Sequence, residues 1–312
     1  MSVARIACVV LSKVRAFECV CVSAPTCERM RRQWRIGLPG ACEHWWSKRP
    51  ASGQGCGSAD RWSWIRYAAK CFHFEFHRGP SMNLNADFTK RAVVHAATLD
   101  WKASPMPGVE RRMLDRIGDE VARATSIVRY APGSHFSPHV HDGGEEFLVL
   151  EGVFQDEHDD FPAGSYVRNP PQSRHTPGSK PGCTMFVKLW QFDLADRRHV
   201  RLDTNKMALL DVKGRDGVRL LPLFKDAHED VRLEQWAPGA AIEFDPNGGL
   251  EVLVLEGGFR EAGETYGPQS WLRLPRGTHF SARAATDGCR VWIKEGHLRH
   301  VQAVRPTGEG AE

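Results

Sequence analysis

The sequence predicts an all-β protein in which two tandem barrels or jelly rolls follow a compositionally different N-terminal segment. Three observations carry that prediction. Beyond residue 81 the chain is a succession of short segments rich in β-branched and aromatic residues, such as "TSIVRYAP", "EEFLVLEG", "GSYVRNPP" and "CTMFVKLWQF", each bounded by Gly and Pro. Helical periodicity is scarce. Four blocks also recur in the same order at an offset of 105 or 106 residues: "YAPGSHF" with "WAPGAAI", "EFLVLEGVF" with "EVLVLEGGF", "SYVRNPP" with "SWLRLPR", and "GCTMFVKLW" with "GCRVWIKEG". Such a repeat marks an internal duplication, and each copy has the length of one small β domain. Many short strands at regular spacing suit a closed or doubled sheet, which removes exposed edges.

Residues 1–81 need a separate account. They carry 13 Lys and Arg against 5 Asp and Glu, seven of the nine cysteines and five of the ten tryptophans, and have no sustained period. A basic, aromatic-rich arm suits nucleic acid, because cations neutralise phosphate and indoles stack on bases. Zinc is a second reading, but the segment has no Cys-x-x-Cys pair. The third reading is the one adopted: a poorly structured basic extension upstream of a natural start at Met82, where "MNLNADFTKRAVVHAATLDW" begins like an ordinary domain. Nucleic-acid binding is therefore not expected. The expected organisation is the extension at 1–81, a metal-binding domain at 82–203, a degenerate second domain at 204–300 and a disordered tail at 301–312. No apolar run approaches the roughly 18 residues that span a bilayer. Lys13, Arg15 and Glu18 interrupt the apolar start, so the expectation is a cytoplasmic protein with no membrane partner. No glycine-lysine loop of the nucleotide-binding kind is present.

The chemistry lies in "PGSHFSPHVHDGGEEFLVLEG", residues 132–152. On an extended strand residues i and i+2 share a face, so His139 and His141 project together while Val140 turns away. A Gly-Gly turn at 143–144 lets Glu145 swing towards the same space, and His175, after a Pro-Pro turn, supplies a fourth donor. Imidazoles and a carboxylate suit zinc, iron, manganese, nickel or copper. His135 lies on the approach to the turn, and His158 sits in "DEHDD", which reads as a solvated loop.

These residues resemble the cupin superfamily. The first cupin motif is met at every spacing by Gly133, His139, His141, Glu145 and Gly152. The second is met by Gly164, Pro170 and His175, but Gln172 stands where the motif has Gly and Ser179 where it often has Asn. From about Leu99 to His297 the chain is similar to the ChrR-type cupins, through "HVHDGGEEFLVLEG", "RNPPQSRH" and "GCTMFVKL". The resemblance implies a bicupin of two jelly rolls and one mononuclear site of His139, His141, Glu145 and His175. Its ion would be one divalent metal, Zn or Fe, with Mn or Ni as alternatives. The anti-sigma module of the ChrR regulators carries a His-x-x-x-Cys-x-x-Cys zinc motif that residues 1–98 lack, so a sigma-factor partner is not implied.

In the second copy Phe244 and Pro246 face the two histidine positions, Leu250 faces Glu145, Glu251 faces Glu146, and only His279 survives opposite His175. The expectation is a structural copy without a site; the alternative is an oxygen-rich site of Asp245, Asn247, Glu251 and His279. Two functions follow. One is a small-molecule or stress-sensing binding pocket held by the metal. The other is an iron-dependent dioxygenase cleaving a carbon–carbon bond of a small diketone or aromatic ketone, with Glu146 and Arg174 orienting ligands or substrate. Cys183 and Cys289 occupy equivalent positions with a packing role. Long β edges are compatible with a homodimer.

Overall fold

The computed structural model of the chain describes residues 82–119 and 121–301, and the expectations for residues 1–81 and for the tail from 302 onward lie outside the described residues. No helix among the described residues is long and apolar enough to cross a membrane.

Two large antiparallel sheets account for most of the fold among the described residues, and a third consists of two short strands, His139–His141 and Ser173–His175. The first runs, neighbour by neighbour, through Asn83–Leu84, Val109–Ile117, Arg123–Tyr130, Cys183–Leu189, Glu145–Gln155, Ser165–Asn169 and Val200–Asp203. The second runs through Leu210–Asp211, Val218–Lys225, Asp230–Trp236, Phe280–Glu295, Leu250–Glu261, Ser270–Leu274 and Ala92–His95. The repeat blocks occupy matching places in the two orders, so the duplication seen in the sequence is also a duplication of topology. One feature of the pairing is crossed. Ala92–His95 and Val200–Asp203 each lead into a short 3-10 turn and then a two-residue strand, which makes them equivalent leading segments. Ala92–His95, leading the first copy, pairs with Arg273 to Ser270 of the second. Val200–Asp203, leading the second copy, pairs with Arg168 to Ser165 of the first. Each copy thus completes the sheet of the other.

Strand alternation sorts the side chains into three apolar clusters. Phe147, Val149, Phe154, Val167, Met185 and Val187 fill the interior of the first copy. Trp236, Val252, Phe259, Leu272, Phe280 and Val291 fill that of the second. The intervening residues form the seam between the copies: Leu148, Tyr166 and Phe186 from the first meet Leu253, Trp271 and Trp292 from the second. Phe186 meets Trp292 nearly edge-on, with ring centroids 4.9 Å apart. Each such fully buried side chain contributes about 1.5–3 kcal/mol relative to exposure.

The seam also holds charge, reciprocally arranged. Lys188 Nζ donates to Glu251 Oε2 at 2.5 Å, and its repeat equivalent Lys294 donates to Glu146 Oε2, the equivalent of Glu251, at 2.5 Å. Glu146 also accepts from Tyr166 Oη at 2.7 Å, and Glu251 from Trp271 Nε1 at 3.2 Å. The equivalent arginines Arg168 and Arg273 reach acids of the opposite copy, Glu229 and Asp115. Lys188, Glu251, Arg273 and Asp115 have no exposed side-chain surface. Burial on its own would raise the Glu146 pKa, but the charges of Lys294 and Arg168 and two donated hydrogen bonds outweigh it and hold the carboxyl down to about 2.

The turn before the short strand Ser173–His175 departs from ordinary backbone. Gln172 sits at φ 72°, in the left-handed region where a side chain is strained; the equivalent residue of the second copy is Gly277, at φ 73°.

Lys294→Met leaves two acids short of their cation and is expected to cost about 3–5 kcal/mol in urea unfolding. The double variant with Glu146→Leu is expected to lose less than the sum of the two singles, by about 1–3 kcal/mol of coupling. Gln172→Gly is expected to raise stability by about 0.5–1 kcal/mol, read as a higher melting temperature, because it relieves the left-handed strain at that turn.

Candidate metal centre

The centre is built on two short strands. His139–His141 pairs antiparallel with Ser173–His175, with His139 opposite His175, Val140 opposite Arg174 and His141 opposite Ser173. Alternation puts His139, His141, His175 and Ser173 on one face and Val140 and Arg174 on the other. Val140 is 51% exposed and Arg174 is exposed.

The Gly143–Gly144 turn brings in the carboxylate. A Cβ at Gly143 would lie 2.1 Å from the Trp190 ring, and Gly144 has φ +76° with Phe192 pressed against it. Only glycine fits this corner, and it aims Glu145 at the histidines.

The three rings converge. Candidate ligand atoms of His139, His141 and His175 all lie within 4.8 Å of one another. His141 Nε2 is 2.8 Å from His175 Nε2, and Glu145 Oε2 is 3.4 Å from the first and 3.5 Å from the second. The carboxylate therefore touches two of the three rings, and Asn169 Nδ2 donates to it at 3.4 Å. His139 Nδ1 is 2.9 Å from the Ser137 carbonyl, which can only accept, so Nδ1 is the donor in that contact and Nε2 is the atom left to face the other rings. His175 Nδ1 lies 3.2 Å from Asp156 Oδ2.

The electrostatics match a cation site. Burial raises the Glu145 pKa, yet the charges of His141, His175 and His139 outweigh it, so the carboxylate stays below its usual range. Burial pushes His141 down, towards the neutral ring a metal requires. At His175 burial acts in the same direction, but the hydrogen bond to Asp156 and the charges of Glu145 and Asp156 overcome it and raise the pKa.

The residues present fit a divalent ion. Three nitrogen donors cluster with the Glu145 carboxylate beside two of them, and the buried Ser173 hydroxyl on that face has no hydrogen-bond partner, which leaves it free for a group held at the metal. Around them stands an aromatic wall: Phe136 lies 5.8 Å from the His139 ring, Phe154 6.0 Å from the His175 ring, and Tyr130 touches both phenylalanines.

The three expected histidines come together, and Glu145 lies beside two of them. The two residues expected to support them do not, and the reason is parity. Glu146, one position from Glu145, points to the opposite face and into the seam with Lys294. Arg174, one position from His175, points to solvent. Asp156, Asn169 and Ser173 were not singled out by the sequence. Asp156 lay in "DEHDD", expected to be a solvated loop; His158 is exposed as expected, but the Asp156 side chain is 3% exposed. A hairpin turn that folds back over its own sheet leaves no signal in composition.

The second copy has no equivalent. Leu250 is fully buried at the place of Glu145, and Phe244 packs on Phe280 at 5.2 Å. Phe280, and not the expected His279, stands at the place of His175, since Phe244 pairs with Phe280 as His139 does with His175; His279, one position earlier and 55% exposed, bonds the still more exposed Asp245 at 2.7 Å. Glu251 belongs to the seam with Lys188, Trp271 and His297, so the oxygen-rich alternative does not assemble. Cys183 and Cys289 are both buried, which pushes their thiols up to about 11 and about 12 and suits a packing role.

Comparison with known proteins agrees with this geometry. Residues 89–193 match the family described as the ChrR cupin-like domain. No curated protein matches the sequence. Among solved structures, a Nostoc punctiforme protein provisionally described as a dioxygenase is 16% identical, covers 72% of this chain and 88% of its own, and superposes with a TM-score of 0.57. The Escherichia coli protein Ylba is 13% identical over 72% of this chain and 97% of its own, with a TM-score of 0.54. A Pseudomonas aeruginosa protein provisionally described as glyoxylate-induced is 16% identical over 73% and 95%, with a TM-score of 0.55. At such identities the likeness is one of fold. The converging histidines thus lie in the segment, residues 89–193, that matches the ChrR cupin-like domain, within an antiparallel β fold shared with these solved structures.

Proposed function

We propose that this domain holds one divalent metal ion on His139, His141, Glu145 and His175 and serves as a metal-centred pocket for a small molecule. The observation that carries the reading is the meeting of three imidazoles with an ionised, buried carboxylate that has no lysine or arginine partner among the described residues. Such a carboxylate is costly to bury unless a cation completes it. Zinc or iron suits the donor set, with manganese or nickel as alternatives. When bound, the ion supplies a Lewis-acid centre for an oxygen or nitrogen atom of the ligand. The chain supplies the rest. Glu145 offsets part of the ion's charge, Asn169 orients that carboxylate, and Ser173 offers a hydroxyl for a polar atom. Phe136, Tyr130 and Phe154 favour an apolar portion of the ligand.

A second reading, an iron-dependent dioxygenase acting on a small diketone or aromatic ketone, is favoured by the same aromatic wall beside the histidines. Four protein donors leave two positions open on a six-coordinate ion. Oxygen uptake by iron-loaded protein with a panel of β-diketones and aromatic ketones separates the two readings: uptake supports the oxygenase, and ligand binding without uptake supports the pocket.

Elemental analysis of protein purified from its own host without added metal is expected to give one ion per chain. His141→Ala and Glu145→Gln are each expected to bring that figure close to zero while His279→Ala leaves it at one; two ions per chain, or retention in His141→Ala, would overturn the assignment. Metal affinity is expected to hold at neutral pH and to fall as pH drops through the histidine range, around 6.5 for an ordinary imidazole, because protons and metal compete for the same nitrogens. Titration of metal occupancy against pH with a chelating dye measures this.

A further inference from the structure

We infer that Asp156 is a positioning residue for the metal centre, holding His175 in the tautomer that presents Nε2 to the ion. The inference rests on the proposed metal reading for its purpose, but not for its geometry. His175 can ligate through Nε2 only if its proton sits on Nδ1, and Nδ1 lies 3.2 Å from Asp156 Oδ2. A carboxylate accepts and does not donate, so the contact places the proton on Nδ1.

Asp156 is itself held. Its other oxygen, Oδ1, accepts from the backbone N–H groups of His158 at 2.8 Å and Asp159 at 3.1 Å. Its backbone N–H donates to the Asp159 carbonyl at 3.2 Å, closing the loop on itself. The next residue ties the loop to the ligand strand, since Glu157 Oε2 accepts from the N–H of Thr176, one residue past His175, at 2.7 Å. Two acids of "DEHDD" thus grip the segment that carries the ligand. A partner of this kind fixes ring orientation and raises the basicity of the ligating nitrogen.

The duplicate provides a control within the same molecule. In the first copy the hairpin closes at Gln155 opposite Asp160 and encloses four residues, 156–159. In the second it closes at Glu261 opposite Glu264 and encloses two, Ala262 and Gly263. The residues that make the grip are present only in the copy that assembles the metal cluster. In the copy without them Phe280, paired with Phe244 as His175 is with His139, stands at the place of the ligand.

Asp156→Asn tests the role without removing the loop. The amide oxygen can still accept the two backbone N–H groups, while the amide nitrogen, a donor, then faces Nδ1 and favours the opposite tautomer. Nitrogen-15 NMR of the neutral His175 ring in metal-free protein is expected to report Nδ1–H in the parent chain and a shift towards Nε2–H in the variant. Competition against a chelating dye with Zn²⁺ is expected to show affinity about 10–100-fold weaker in the variant, with the melting temperature of the metal-free protein unchanged. Co²⁺-loaded protein is expected to show an altered visible ligand-field spectrum. An Nε2–H tautomer in the parent chain, which needs no variant to measure, would overturn the inference. So would a variant with Zn²⁺ affinity within about twofold of the parent. A parent chain that shows Nδ1–H but binds no metal would sink the metal reading and leave the tautomer assignment standing.

Discussion

The period-two alternation of a single strand organises this molecule. Glu145 and Glu146 are neighbours in sequence, and the pleat sends them to opposite sides of Glu145–Gln155. The first meets His141 and His175; the second crosses the seam to a lysine of the other copy. A slip of one residue in the pairing with Cys183–Leu189 would exchange them, stranding a carboxylate in the seam without its tyrosine and removing the anion from the histidines. Register, metal donors and domain association are therefore set together.

The same parity explains how the two copies differ. Leu250 replaces the inward glutamate and joins an aromatic interior, while Glu251 retains the outward one and its lysine. Chemistry has left one face of the second strand while architecture remains on the other. A buried ion pair is weak evidence of net stabilisation, but breaking one is costly. Both seam pairs are satisfied by further donors, Tyr166 on one side and Trp271 and His297 on the other.

Much of this was legible in the sequence. The repeat foreshadows the two large matching sheets, and the spacing of Gly133, His139, His141, Glu145 and His175 points to the candidate donors, because period two and a Gly-Gly corner are local rules. Glu146 and Arg174, the candidates for supporting roles, fall on the opposite faces by the same rule, because adjacency in sequence is not adjacency in space. The crossed pairing of Ala92–His95 could not be read locally: which sheet edge a strand joins depends on residues nearly 180 positions away. Asp156 was hidden for a related reason, in that a run of acids looks alike whether it faces water or folds back onto an imidazole.

The crossed leading strands bear on why a copy without donors is still present. A duplicated half that supplies no donors to the candidate centre is dispensable where the other half can stand alone. Here the first half's own leading segment lies along Ser270–Leu274, and the counter-charges of Lys188 and Glu146 belong to the other half. Excising residues 204–300 would leave an unmatched anion and cation in a dry surface and a strand with nothing to lie against. The molecule can forget the second half's chemistry one substitution at a time, yet it has no short mutational route to discarding the half itself.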